Sequence, residues 1–152
     1  MSIFAYVYTP TGEVTQIVDV GVRVTQLYDG MVQGDYILFD ITDRNDREDF
    51  KNLRFYKNGA FHARDPAPNH FYKWDVENEV WVFQSDYFLS ELRKLRNQRI
   101  VLTDWTQLPD APLTDAQKTE WQTYRQALRD VPLNNSNVTS LDEVVWPTEP
   151  TV

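Results

Sequence analysis

The sequence predicts an α+β protein, with an antiparallel β-rich amino-terminal part, a carboxy-terminal two-helix module and an extended tail. Two observations lead to this prediction. Short runs of β-branched and aromatic residues, separated by Gly, Asn, Asp and Pro, fill the chain as far as residue 85, as strands and turns do. From Asp86 onward, apolar residues recur at helical spacing. We therefore expect a β-rich domain at 1–85, a helix-loop-helix module at 86–132 and an extended tail at 133–152.

Five to seven strands are expected in the amino-terminal part. The strongest turn signal is Asn58-Gly59, because these residues tolerate the two positive φ angles of a type I′ hairpin turn. A second turn is expected at Glu77-Asn78, although Glu disfavours positive φ. The prolines of residues 65–69 remove backbone donors, so this segment should connect strands. The expected strands are Ile3–Tyr8, Val14–Val20, Tyr36–Ile41, Leu53–Lys57, Ala60–Arg64, Phe71–Val76 and Glu79–Phe83.

Two amphipathic helices are expected in the second part. The first spans residues 86 to about 101, and one of its faces is basic, with Arg93, Lys94 and Arg96. The second begins at a capping box formed by Thr114 and Gln117, and Pro132 should end it. Its apolar stripe consists of Trp121, Tyr124, Leu128 and Val131. The two helices should pack antiparallel across the loop of residues 103–112 and bury Trp121 between them.

Charge and composition exclude several classes of function. The chain has 152 residues, with 15 Lys and Arg against 23 Asp and Glu, and no cysteine. Its net charge of −8 disfavours nucleic acid as a partner, because affinity for a phosphate backbone comes largely from clustered Lys and Arg. No stretch approaches the roughly 20 apolar residues of a membrane span, so we expect a soluble protein in the cytoplasm of the cell that makes it. Disulfides, thiolate nucleophiles and Cys-ligated metals are excluded.

Few residues could supply catalytic or metal chemistry. A two-histidine, one-carboxylate iron site could be drawn from His62, Asp65 and His70, but the proline-rich connector between them favours a structural role. The paired carboxylates of a glycoside hydrolase could come from the acids beside the second hairpin turn, where turn and edge charges are the simpler interpretation: Asp75, Glu77 and Glu79. The sequence also lacks a Gly-rich phosphate loop and a nucleophile elbow. It therefore predicts no metal, no cofactor and no enzymatic activity.

Three residues have both a structural and a partner-binding interpretation. Arg99 falls within the apolar stripe of the first helix, and we expect it to pair internally with Asp104 or Asp130 rather than with a partner's carboxylate. Trp105 lies in the loop, where it would either fill a gap between the helices or form a binding hot spot. Trp146 should anchor the tail, either on the helical pair or on a neighbouring subunit.

The segment RNQRIVLTDWTQLPDAPLTDAQKTEWQTYRQALRDVP, residues 96–132, closely resembles the carboxy-terminal module of tailed-phage tail assembly chaperones and tail-fibre assembly proteins. The similarity extends over roughly residues 53–150, because the hairpin pattern YKNGAFHARDPAPNHFYKWDVENEVWV also looks like that family. Residues 1–52 carry no such resemblance. The pieces that define the similarity are DWTQLPDAPL from Asp104 to Leu113, YRQALRD from Tyr124 to Asp130, then Pro132, and Trp146-Pro147.

This resemblance implies a non-enzymatic role in building phage tails or tail fibres, through binding to tail or tail-fibre proteins. Two forms of that role remain open: an assembly chaperone acting in the host cytoplasm, or a small structural subunit of the virion tail, present as a homo-oligomer within a symmetric assembly. A third alternative, a glycan-acting tail enzyme, would require a cleft with paired acids. The residues expected to contact a partner are Arg93, Lys94, Arg96, Arg99, Trp105 and Trp146.

Overall fold

The computed structural model describes residues 2–20, 27, 29–47 and 49–151. The contacts within the chain divide it into two compact units, Met1–Val82 and Phe83–Val152. The first unit contains an antiparallel sheet, and the second contains two long helices. The predicted α+β class is therefore confirmed.

Eight strands lie in the described part of the chain, one more than the upper limit expected. They are β1 (Ser2–Tyr8), β2 (Glu13–Val20), β3 (Val32–Gln33), β4 (Tyr36–Asp40), β5 (Arg54–Lys57), β6 (Ala60–Ala63), β7 (Tyr72–Asp75) and β8 (Val80–Phe83). Six of them form one sheet in the order β3-β4-β1-β2-β5-β6, with every pairing antiparallel. The remaining two, β7 and β8, pair as a separate hairpin. All seven expected strands are present, and β3 is the additional one.

Both faces of β1 carry apolar side chains, so its sequence is a nearly continuous run of apolar residues. Successive side chains of a strand point to opposite faces of the sheet. Ile3, Ala5 and Val7 belong to one core cluster, which also includes Val14, Ile41 and Phe50. Phe4 and Tyr6 belong to a second cluster, which also includes Val20 and Leu38. The sheet therefore contributes to two cores rather than having one buried and one solvated face.

The two predicted hairpin turns have different outcomes. Asn58 and Gly59 have φ angles of +52° and +82°, so the type I′ turn is confirmed. The prediction of a two-residue turn at Glu77-Asn78 is wrong. The chain turns over residues 76–79, and the positive φ angle of this turn, +55°, is at Glu79. The cause is Asp75, whose Oδ1 accepts hydrogen bonds from the backbone N–H groups of Glu77 and Asn78. This carboxylate stabilises a wider loop that needs no positive φ at its centre.

One short helix was not anticipated. Residues Phe50–Leu53 form a single helical turn, α1, directly before β5, where the sequence pattern predicts a strand from Leu53. The carbonyl oxygen of Asp49 accepts hydrogen bonds from the amides of Asn52 and Leu53. The turn places the ring of Phe50 in the core with no exposed surface, and this burial outweighs the local strand propensity.

The second unit is built on helices α2 (Ser85–Leu102) and α3 (Asp115–Asn134). Thr114 and Gln117 form the predicted capping box at the start of α3. The helices run antiparallel, because Arg96 Nη1 donates to the carbonyl of Arg129 near one end, while Arg125 Nη1 donates to the carbonyl of Ile100 near the other. The predicted antiparallel pair is confirmed. Between the helices, Asp104–Gln107 form a 3-10 turn.

Pro132 does not end α3, contrary to the sequence prediction. The helix continues to Asn134, with Pro132 inside it. Pro132 lacks a backbone N–H, so α3 loses one intrahelical hydrogen bond there, but only two further residues of the helix follow it. The helix ends at Asn135, whose backbone N–H and side-chain Nδ2 both donate to the carbonyl of Val131, at 3.1 and 2.9 Å. These bonds satisfy one of the carbonyls that a helix terminus leaves without a partner.

Candidate partner-binding site

The core of the second unit is centred on Trp121. Its side chain is 1% exposed and packs with Leu113, Tyr124 and Leu128, so its predicted burial is confirmed. The ring of Trp105 meets that of Trp121 edge to face, with their centroids 5.8 Å apart. Trp105 is itself 38% exposed. It therefore packs against the core of its own unit while it still presents part of its ring at the surface.

Arg125, rather than Arg99, is the buried arginine of this unit. Only 8% of Arg125 is exposed, and its Nη1 donates to the carbonyl of Ile100 at 3.0 Å and to Thr103 Oγ1 at 2.6 Å. The same nitrogen lies 2.9 Å from Asp104 Oδ1. These contacts join the end of α2 to the middle of α3. The sequence analysis missed Arg125, although it lies four residues after Trp121 and therefore on the same side of the helix.

The predicted salt bridge of Arg99 is wrong. Within the described residues Arg99 has no acidic partner, since Asp104 pairs with Arg125 and Asp130 accepts from Gln126. Arg99 is exposed, so water satisfies its donors and no desolvation cost requires a carboxylate. Its guanidinium carbon lies 4.2 Å from the ring centroid of Trp146, as in a cation–π contact.

The tail folds back onto its own unit, and residues 135–147 are called the carboxy-terminal strap here. The side chain of Asn135 holds the strap: its Oδ1 accepts from the backbone N–H of Val145 at 2.8 Å, and its Nδ2 donates to the Val145 carbonyl at 3.3 Å. Val144 is buried, and Trp146 packs on the Trp121 cluster. The strap contains one 3-10 turn, Leu141–Glu143. Trp146 is thus an anchor, and its pocket lies within the chain.

A groove of about 470 Å³ lies between the start of α2 and the end of α3. Its apolar surface includes Phe88 and Leu89 from α2 and Pro132 from α3. Three arginines line it, and none of its lining residues is acidic. We call this feature the arginine groove. It is lined by Phe83, Ser85, Phe88, Leu89, Arg93, Arg96, Arg129, Pro132, Leu133, Asn135, Ser136 and Val138.

The charge of the arginine groove is opposite to that of the unit around it. Residues 83–152 contain seven Lys and Arg against ten Asp and Glu. In the described part of the chain, none of Arg93, Arg96 and Arg129 forms a salt bridge. Arg96 donates to the Arg129 carbonyl and to the Asn97 side chain, and both acceptors are neutral. The groove therefore combines three uncompensated positive charges with an apolar floor.

The six residues expected to contact a partner do not form one cluster. Arg93 and Arg96 line the arginine groove. Lys94 points to another side of α2, where a hydrogen bond to Glu91 raises the pKa of its ammonium group. Arg99 and Trp146 contact each other, and Trp105 contacts Trp121.

Arg129 also lines the arginine groove, but the sequence did not predict it as a partner-binding residue. Only the pairing of the two helices reveals that Arg129 lies opposite Arg96.

The residues considered for catalysis or metal binding have structural contacts in the first unit. His62 Nε2 lies 3.1 Å from the Lys57 carbonyl, and its ring stacks on Phe55. No group of three His, Cys, Asp or Glu residues in the described ranges is placed to hold a metal ion. Hydrogen bonds lower the pKa of Asp75, through Asn78, and that of Glu79, through Lys57. A general acid in glycoside hydrolysis needs a raised pKa, so these shifts have the opposite sign.

Comparison with known families finds one similarity, which lies in the second unit. Residues 89–151 match the model of the family described as phage tail assembly chaperone protein. These residues are therefore similar to the phage tail assembly chaperone family. The resemblance seen in DWTQLPDAPL and YRQALRD is thereby confirmed, whereas the similarity of residues 53–88 lies outside the match and stays a prediction. Comparisons with curated proteins and with solved structures gave no match.

The match to the tail assembly chaperone family supports a role for this protein in phage tail assembly. The matched residues include most of α2, all of α3 and the carboxy-terminal strap, so the family module contains both Trp146 and most of the arginine groove. Tail assembly chaperones are not a class of enzyme. None of the helices in the described ranges combines the length and hydropathy that a membrane span requires.

Proposed function

We propose that this protein is an assembly chaperone that binds a tail or tail-fibre protein in the host cytoplasm and leaves before the virion is complete. The family match to residues 89–151 supports a role in tail assembly. The choice of a departing chaperone over a retained structural subunit depends on the strap. Its Trp146 packs within its own unit rather than requiring a neighbour.

The packing of the strap within its own unit supports a departing chaperone, because a chaperone and a structural subunit place different demands on this segment. A chaperone is stable while it waits for its client, so it has to bury its own apolar segments. The described strap places Trp146 against the Trp121 cluster and Arg99, and places Val144 in the interior. A subunit that becomes ordered only inside the virion would instead present such an anchor to its neighbour. The strap thus supports a unit that folds before it meets its partner.

The partner-binding surface, in this proposal, is centred on Arg93 and Arg96. These two residues line a groove, have no acidic partner in the described part of the chain and belong to the family module. Trp105 contributes through the exposed part of its ring. Lys94 is paired with Glu91 and lies outside the groove, while Arg99 and Trp146 act indirectly, by holding the strap in place.

Deleting the gene from its phage tests the requirement for assembly. We expect the deletion phage to yield particles that lack tails or tail fibres in electron micrographs, because the client would aggregate or assemble incorrectly. The full chain supplied from a plasmid should restore complete particles, and an empty plasmid should not. Normal tails and full infectivity of the deletion phage would exclude an essential assembly role.

A further inference from the structure

We propose that the arginine groove binds a segment of the tail partner in which carboxylate side chains flank an apolar anchor. This inference deepens the proposed function and rests on it, because it names the chemistry of the client segment. Three features of the groove support it: its apolar floor, its three guanidinium groups and the charge of the unit around it.

The floor of the groove selects an apolar anchor. Phe88, Leu89 and Pro132 line it, and Leu133, which also lines it, is 76% exposed. Covering such surface is worth roughly 25 cal/mol per Å² of apolar area. The volume of about 470 Å³ falls within the range of pockets that hold a small ligand, so the groove accommodates a few side chains of a peptide segment rather than a whole domain face.

The guanidinium groups select carboxylates beside that anchor. Arg93, Arg96 and Arg129 border the groove, and its lining contains no acidic residue that could neutralise them. Arginine presents several donors in a planar fork, which matches the two oxygens of a carboxylate. Because the groove excludes part of the solvent, a carboxylate bound there would interact more strongly than on an open surface.

The charge of the surrounding unit selects a short acidic segment over nucleic acid. Seven Lys and Arg are outnumbered by ten Asp and Glu in residues 83–152. The net negative charge of the unit disfavours an extended polyanion more than a segment of a few residues, because repulsion grows with the number of charges. Affinity for nucleic acid also depends on many phosphate contacts, and three arginines supply few.

Peptide binding by the full-length protein tests the proposal. An array of 15-residue peptides covering the tail proteins of the same phage genome is the probe, and the best peptide is then measured by fluorescence anisotropy. We expect the bound peptides to combine carboxylates with a large apolar residue. Arg93→Ala and Arg129→Ala should each weaken binding about tenfold, as loss of a hydrogen bond to a charged group does. Changing the peptide carboxylates to amides should weaken binding similarly.

Lys118→Ala is the matched control, because it removes one positive charge from α3 outside the groove. This variant should bind as the wild type does, and melting temperatures should confirm that every variant is folded. The proposal is overturned if the arginine variants bind normally, if the array selects peptides without carboxylates, or if single-stranded DNA competes as well as the peptide. Finding the chain in mature virions would refute the departing chaperone without affecting these binding results, so the two proposals fail separately.

Discussion

Trp121→Ala is expected to lower the free energy of unfolding of the carboxy-terminal unit by about 3 to 5 kcal/mol, as large-to-small changes of a buried aromatic residue do. The side chain is 1% exposed and lies among Leu113, Tyr124 and Leu128. Removing it would leave a cavity that these neighbours cannot fill without moving α2 relative to α3. Urea unfolding followed by circular dichroism measures this change without relying on tryptophan fluorescence.

Leu102→Ala provides the control for Trp121→Ala. Leu102 is 75% exposed at the end of α2, so its truncation should change the free energy of unfolding by less than about 0.5 kcal/mol. A loss below about 1 kcal/mol for Trp121→Ala would contradict the packing described here, because a buried indole ring cannot be removed so cheaply.

Trp146→Ala is expected to destabilise the isolated protein by about 2 to 4 kcal/mol, somewhat less than a fully buried tryptophan would. Trp146 is half-buried against the Trp121 cluster, and the guanidinium of Arg99 lies over its ring. That cation–π contact contributes about 0.5 to 2 kcal/mol. Arg99→Ala should therefore reproduce only a part of the effect. The measurement is the thermal and urea unfolding of the monomer.

Val145→Ala is the matched control within the strap. Val145 precedes Trp146 and its side chain is 76% exposed, although its backbone is held by Asn135. Alanine keeps those backbone bonds, so stability should remain close to that of the wild type. If Trp146→Ala leaves the monomer equally stable but abolishes binding to tails, the pocket of Trp146 lies on a partner, and the argument for a departing chaperone loses its support.

Local sequence patterns predicted most elements, because each depends on short-range physics. The Asn58-Gly59 turn follows from the φ angles that these residues tolerate, and the start of α3 follows from the Thr114 capping box. The end of α3 was not predictable from Pro132 alone. There, the side chain of Asn135 donates to the carbonyl of Val131 in the last turn and also holds the strap, a contact that the sequence pattern does not reveal.

The candidate site was less accessible to sequence reasoning, because it depends on how the two helices face each other. Helical spacing placed Arg99 on the apolar stripe but did not show that this end of the stripe is exposed to solvent. The arginine that is buried in this unit is Arg125. Arg93 and Arg96 were identified from the basic face of α2. Arg129 lies on a different helix, and only the antiparallel packing brings it to the same groove.

Quantitative mass spectrometry of purified mature virions tests the central claim most directly. The producing cells and the virions are measured in parallel, with the known tail proteins as internal standards. A departing chaperone should be abundant in the infected cell and absent from the particle, at less than one copy per virion. A fixed number of copies per virion, matching the symmetry of the tail or fibre, would show that the protein is a structural subunit and would contradict the account.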